Sequence, residues 1–346
     1  MKKKIVIFKN DSIGDLVHSV PAINDIIKQH QNHELIIFLS NISKDFYFLF
    51  QKTNTRLKIL NYNLNLIQKI KIFIYLLINN VDKVYILAPK NFYFYLPMFF
   101  FKIKFFGLCV NSRVNKKRPS LFLRKFLYKF IVNDRETRNR RKSTQLLQLN
   151  LVSEKKDYDI SLNYSSDIKK SKILQKYLPS DYILIHYKKK FFEELNWGVD
   201  GLDLILNELK KYASNIVLTK DIELDKNNEI FKNRYNAYDF KTDTFYDKKS
   251  KILFLDNIKG INLYNTVKHS RKIVAIHGII TNLGFLCKKP VLDLFLCRIK
   301  NRDDFYSCRN AFFEFKPNYQ GYDFILPGKN LNKTIKKMKF ALNNNK

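Results

Sequence analysis

Short apolar runs alternate with helix-patterned stretches along most of this chain, and that alternation constrains the fold more than any other feature. In the first half the runs are Lys4–Phe8, Leu35–Leu39, a weak Lys58–Leu60, Val84–Leu87 and Phe105–Val110. In the second they are Tyr182–His186, Ile216–Leu218, Ile252–Leu255, Ile273–Ile276 and Val291–Leu296. Most are continuous rather than alternating, as parallel strands buried on both faces require. Between them, Leu16, Val20, Ile23 and Ile27 share one helical face, as do Leu202, Ile205 and Leu209. The pattern predicts an α/β protein with parallel sheets. Two such series, joined by a polar region near Ser153–Lys176, predict two Rossmann-like domains, 1–165 and 178–330. A final lysine-bearing helix is expected from about Asn332 to Leu342.

At 346 residues the chain is long enough for two cores, and 46% hydrophobic composition excludes a mainly disordered protein. No secretory signal is legible, because the apolar run "IVIF" is too short and no small-residue cleavage site follows. Cys109, Cys287, Cys297 and Cys308 form no CxxC or metal-ligand pattern, so a reduced cytoplasm is expected. The aromatic stretch Phe92–Val110 approaches spanning length, but Pro97, Lys102 and Lys104 interrupt it. It reads as a buried helix followed by a strand.

The net charge of +32 favours anionic partners. Residues 113–142 hold 12 Lys/Arg against 2 Asp/Glu. Within them "SLFLRKFLYKF" would place Leu123, Phe126, Leu127 and Phe130 on one helical face, with Arg124, Lys125 and Lys129 elsewhere. That pattern suits peripheral contact with an anionic membrane or acceptor, or a helix packed on its own domain. No RNP, helix-turn-helix or zinc signature accompanies the charge, so no nucleic-acid partner is expected.

Candidate chemistry falls at strand ends, where open α/β sheets bind ligands. After the first run comes "KNDSIGDLVHSVPA". Gly14 offers a tight turn, and Asp15 lies near a helix N-terminus, where it serves as general base or as helix cap. Pro21 fits a kink or a helix start near Ser19. After "YILIH", His186 precedes Lys188, Lys189 and Lys190, point charges suited to phosphate or to a solvated loop. Thr219 and Glu223 follow the next run, Glu223 being a ribose-hydroxyl acceptor or a surface acid. After "KIVAIH", Gly278, Thr281 and Asn282 stand at the start of a helix whose N–H groups can bind an anion. His277 precedes them, and a protonated His277 would be favoured by a bound diphosphate. Asp157 and Asp159 read as a solvated loop, and His18 has no metal-ligand spacing.

Three of these stretches, "IVIFKNDSIGDLVHSVPAI", "ILIHYKKKFFEELNW" and "ILFLDNIKGINLYNTVKHSRKIVAIHGIITNLGFLCKKPVLDLF", resemble the ADP-heptose:lipopolysaccharide heptosyltransferase family, glycosyltransferase family 9. The resemblance implies a GT-B fold, two Rossmann-like domains facing a central cleft, with the last helix packing back toward the first. It implies inverting, metal-independent and cofactor-free sugar transfer with Asp15 as the base. Lys9, Ser12, Gly14 and His18 would lie on the side of a lipopolysaccharide-core or other glycolipid acceptor. The donor, an ADP-sugar by preference, would meet His186, Lys188, Lys189, Lys190, Thr219, Glu223, His277, Gly278, Thr281 and Asn282. A cytoplasmic enzyme on the inner face of the cytoplasmic membrane follows. The chain departs from the family at His277, Gly278 and Ile279, where an acid and a small-Gly pair are usual. It departs again at Asn282 for His, at Leu195 for Lys, and at Lys220-Asp221 for Gly-Gly. All these changes fall on the donor side. A degenerate, non-catalytic binding subunit and a nucleic-acid binder are the competing readings.

Overall fold

A computed structural model of the chain describes residues 2–112, 116–134, 143–153, 170–221, 227–296, 312, 316–317 and 319–344. The chain divides into two compact units, Met1–Leu162 with Arg298–Lys316 and Asn163–Cys297 with Pro317–Lys346. Each is built on its own sheet with helices packed against it, so the fold is α/β with two Rossmann-like units of the GT-B class.

The first sheet comprises β1 (Lys4–Lys9), β2 (Glu34–Ser40), β3 (Thr55–Leu60), β4 (Val81–Ile86), β5 (Lys104–Ser112), β6 (Lys116–Arg118) and β7 (Lys129–Asp134). Its order is β3-β2-β1-β4-β5-β6, with β7 also paired to β5. All pairings are parallel except β5 with β6. The central strands are buried on both faces, which is why they read as continuous apolar runs. After β1, helix α1 (Ile13–Gln29) presents Leu16, Val20, Ile23 and Ile27 to the core. Pro21 lies inside this helix, which begins at Ser12 rather than near Ser19. Helix α2 (Leu66–Ile78) precedes β4 and buries Ile72 and Leu76.

Phe92–Val110 resolves as expected into a short helix, Asn91–Tyr95, a 3₁₀ turn, Leu96–Met98, and strand β5. No helix among the described residues is long and apolar enough to cross a membrane. The interfacial helix read over "SLFLRKFLYKF" does not form. Only Leu121–Arg124 is helical, and Phe130 belongs to β7. Leu123 and Leu127 are buried in the first core, Leu127 against Gly107 of β5, so these two side chains pack on their own domain rather than at an interface. The Tyr128 N–H then bonds to the Phe105 carbonyl and starts the ladder between β5 and β7. Pairing with a distant strand overrides the local period there. Residues 113–115 and 135–142 of the basic segment lie outside the described residues.

The second sheet holds β8 (Ile183–Tyr187), β9 (Ile216–Lys220), β10 (Asn236–Asp239), β11 (Thr244–Tyr246), β12 (Ile252–Asp256), β13 (Lys272–Ile276), β14 (Val291–Leu294) and β15 (Tyr322–Ile325). Its order is β11-β10-β12-β9-β8-β13-β14-β15, parallel apart from β11. The helix Gly198–Leu209 buries Leu202, Ile205 and Leu209 as its period predicts. Strands β10, β11 and β15 escape the sequence reading because they are short and lie toward the sheet edges, where an apolar run is not required.

The last helix, Leu331–Asn344, lies where the sequence reading expects a final helix. Met338, Ala341 and Leu342 belong to the second unit's core, and the Trp197 indole N–H anchors the preceding turn at the Lys329 carbonyl, 3.1 Å. Met338→Ala should therefore cost the second unit about 2–5 kcal/mol, the usual range for truncating a fully buried methionine. Urea unfolding followed by Trp197 fluorescence reads that loss; an unchanged midpoint would show that the helix is not part of this core.

Candidate functional site

Strand order places the candidate sites. In the first sheet the chain leaves β1 for β2 on one side and returns to β4 on the other. In the second it leaves β8 for β9 and returns to β13. Each reversal is a topological switch point, where the connections diverge and leave a crevice at the strands' carboxyl ends.

At the first switch point the end of β1 is tied down by polar contacts. Lys9 is only 2% exposed, and its Nζ donates to Asp11 Oδ2 at 2.6 Å and to the Leu87 carbonyl, just beyond β4, at 3.3 Å. Asn10 is fully buried, accepts from the Tyr93 hydroxyl at 2.6 Å and donates to the Asn61 carbonyl at 3.0 Å. Burial pushes the Asp11 carboxyl up to about 6 despite the short pair with Lys9; the Asp15 charge also raises it, and Lys90 lowers it. Desolvation outweighs the ion pair here.

Ser12 caps α1. Its hydroxyl oxygen accepts from the Asp15 N–H at 3.3 Å, while its O–H donates to Asp15 Oδ2 at 2.7 Å. Asp15 is half-buried, and its other carboxylate oxygen has no hydrogen-bond partner among the described residues. Cap and base are therefore compatible roles: one oxygen is held and the other is left for a proton. Gly14 lies in the first helical turn, so the tight turn expected of it is made earlier, over Asn10–Ser12. His18 and Lys9 are buried, whereas Ser12, Gly14 and Asp15 are partly exposed.

At the second switch point Lys188, following β8, donates from Nζ to the His277 carbonyl, following β13, at 2.7 Å. Gly278 has φ +151°, a backbone conformation that favours glycine, and a Cβ there would displace the Lys188 ammonium, whose Nζ would lie 2.4 Å from it. Helix α3 (Ile279–Leu286) starts immediately after it. Burial lowers the Lys188 ammonium, offset in part by Asp221 and Asp293. Thr281 is fully buried, and its hydroxyl donates to Asp293 Oδ1 at 3.0 Å. Asn282 is 2% exposed, and its side-chain oxygen has no partner among the described residues.

Asp293 organises this region. It is fully buried in β14 and accepts from His277 Nδ1 at 2.6 Å, Thr281 Oγ1 at 3.0 Å and the Tyr322 hydroxyl at 2.9 Å. Burial and the Asp293 charge push the Tyr322 hydroxyl far up. The fold thus already supplies the anionic partner for His277 that the sequence reading assigned to the donor alone. Alongside, His186 is buried, its Nδ1 2.9 Å from Thr219 Oγ1 and its Nε2 3.1 Å from Asp221 Oδ1. Burial lowers His186; it also works to raise Asp221, but the hydrogen bond and the charges of His186, Lys188 and Lys220 hold that carboxyl below the usual range. With Asp221 ionised, the Nε2–H must donate to it.

Sequence reasoning missed Asp11, Asp221, Asp293 and Tyr322 as site residues. A lone acid inside the apolar run "VLDLF" was the available signal for Asp293. Lys189 and Lys190 begin a short helix, Lys189–Glu194, with Lys189 3.7 Å from Glu193. Glu223 and the Asp157/Asp159 pair lie outside the described residues. Among those residues no cluster of three or more His, Cys, Asp or Glu is arranged for a metal.

No protein-family model matches the chain, and comparison with curated protein sequences finds no match. Solved structures do match. E. coli ADP-heptose lps heptosyltransferase II superposes with a TM-score of 0.64 at 12% identity over 99% of each chain. The chain has the fold of that enzyme. A family 9 glycosyl transferase from Veillonella parvula gives 0.62 at 12% identity, over 97% of this chain and 89% of that one. A UDP-GlcNAc 2-epimerase from Methanocaldococcus jannaschii gives 0.59 at 14% identity, over 99% and 93%. The resemblance seen in the three motifs is thus matched by fold along nearly the whole chain, while the fold alone is shared with a different chemistry.

Asp293→Asn removes one acceptor site from three donors in a dry environment. It should cost about 1–3 kcal/mol of stability, as a buried group left unpaired does. Thermal unfolding compared with Tyr322→Phe checks the assignment: the two losses should be strongly non-additive in the double variant.

Proposed function

We propose that this protein is an inverting, metal-independent glycosyltransferase that moves a heptose or related sugar from an ADP-sugar to a lipopolysaccharide-core or other surface-glycan acceptor. The observation that carries the proposal is Asp15: a half-buried carboxylate at the β1/β4 switch point, one oxygen held by Ser12 and the other without a hydrogen-bond partner among the described residues. The likeness to E. coli ADP-heptose lps heptosyltransferase II and the family 9 glycosyl transferase supports it.

In this reading Asp15 takes the proton from an acceptor hydroxyl as that oxygen attacks the anomeric carbon. The bond from that carbon to the donor phosphate breaks, its electron pair leaves on the nucleoside diphosphate, and the anomeric configuration inverts. Lys188 and the N–H groups at the start of α3 balance the developing charge on the leaving group. His277 takes the place of the family's usual acid with its ring set by Asp293, so the contact to the donor is made by a cationic or donating group. Thr219, Thr281 and His186 are buried and act through the groups they hold. Such chemistry belongs at the inner face of the cytoplasmic membrane, where nucleotide-sugars meet lipid-linked acceptors.

Asp15→Asn should lower turnover by about 10²–10⁴, the range for losing a general base, with donor binding intact. A nucleotide-sugar screen by thermal shift identifies the donor, since a ligand at a hundred times its Kd adds about 2.7 kcal/mol. Full activity in Asp15→Asn would refute the base assignment. A donor that binds without transfer to any glycolipid acceptor would favour the non-catalytic binding subunit.

A further inference from the structure

Helix α2 carries an apolar surface on the side away from its core contacts. Leu66, Ile67, Ile70, Ile74, Leu77 and Ile78 are between 47% and 70% exposed. At about 100° per residue they fall within an arc of about 120°, while Ile72 and Leu76 hold the opposite side in the core. The surface continues off the helix, because Phe73 packs on Phe99 and Phe100 at 5.7 and 4.9 Å, and Phe99 and Phe101 are 62% and 79% exposed. Large aliphatic and aromatic side chains gathered this way mark an interaction surface.

The charge around it selects the partner. Lys71 lies beside the exposed arc, exposed Lys102 follows Phe101 in the chain, and Lys58 is exposed on β3 with its Nζ 4.0 Å from the Tyr75 ring centre. Between Asp45 and Asp134 the sequence has 16 Lys/Arg and a single acid, Asp82. A second copy of the chain is a poor fit, since a two-fold contact would set this same cationic patch against itself. With 13 residues, α2 is about 20 Å long and too short to span a bilayer, but it is long enough to lie in its surface.

We propose that the outward face of α2, with Phe99 and Phe101, docks on an anionic lipid bilayer, the apolar arc entering the headgroup boundary and the surrounding lysines meeting lipid phosphates. This surface is separate from the "SLFLRKFLYKF" segment and independent of the transfer reading. Its test needs neither donor nor acceptor, so its failure and that of the enzyme assignment are distinguishable.

Vesicle sedimentation tests it, with phosphatidylcholine alone and with about one-third phosphatidylglycerol. The full chain should bind the anionic vesicles and be released as salt approaches about 0.5 M. Ile70→Ser/Ile74→Ser should lower binding at least about tenfold with an unchanged melting temperature, because both side chains are outside the core. Lys71→Glu/Lys102→Glu, which leaves the apolar face intact, should abolish the preference for anionic over neutral vesicles. Wild-type protein that stays in the supernatant at low salt would overturn the proposal, as would variants that bind like wild type. A dimer in sedimentation velocity that the isoleucine pair converts to monomer would also overturn it, assigning the face to self-association.

Discussion

Burial of a parallel sheet on both faces leaves polar chemistry almost nowhere but the strand ends, and both units of this protein are organised by that constraint. The middles of β1 and β8 are apolar because helices cover them on each side. At their carboxyl ends the chain must turn, and the turn exposes backbone groups that need partners. Lys9 joins the end of β1 to Leu87 beyond β4, and Lys188 joins the end of β8 to His277 beyond β13. Each lysine thus spans the gap that a reversal of strand order opens, and each candidate site is assembled around such a lysine.

The two ends differ in how their charges are arranged. In the first unit two carboxylates flank the Ser12 cap, Asp11 before it and Asp15 in the first turn of α1, and burial rather than the ion pair sets the state of Asp11. Asp15, one helical turn on, is half-buried and held by a single hydroxyl. In the second unit the acids are dispersed among donors: Asp221 under His186, Asp293 under His277, Thr281 and Tyr322. That end positions cationic and donating groups, which suits an anion, while the first end leaves one oxygen of Asp15 without a hydrogen-bond partner among the described residues.

The substitutions on the donor side take a different meaning from this arrangement. A histidine in place of an acid at 277 looks like erosion when the motif is read alone. Beside Asp293 it is half of a hydrogen-bonded pair whose second member sits 16 residues away on the adjacent strand. The absence of a side chain at Gly278 likewise leaves room for the Lys188 ammonium that bonds to the His277 carbonyl.

The alternation of apolar runs and amphipathic stretches determined by itself that this is a parallel α/β protein with two sheets, because burial on both faces leaves a signature in every central strand. It also marked Asp15, since a helix cap and a strand end are both local. Tertiary structure alone decided the rest. Whether "KFLYKF" becomes helix or strand depended on pairing with β5, and which residues of the last helix enter the second unit's core is seen only once Met338, Ala341 and Leu342 are packed there. The partners of His277 were hidden because a buried acid in an apolar run acquires its donors only when β13, β14 and β15 are laid side by side. Exposure of the α2 surface was invisible for the same kind of reason: the pattern of that helix is apolar nearly all round, and only the sheet shows which side it covers.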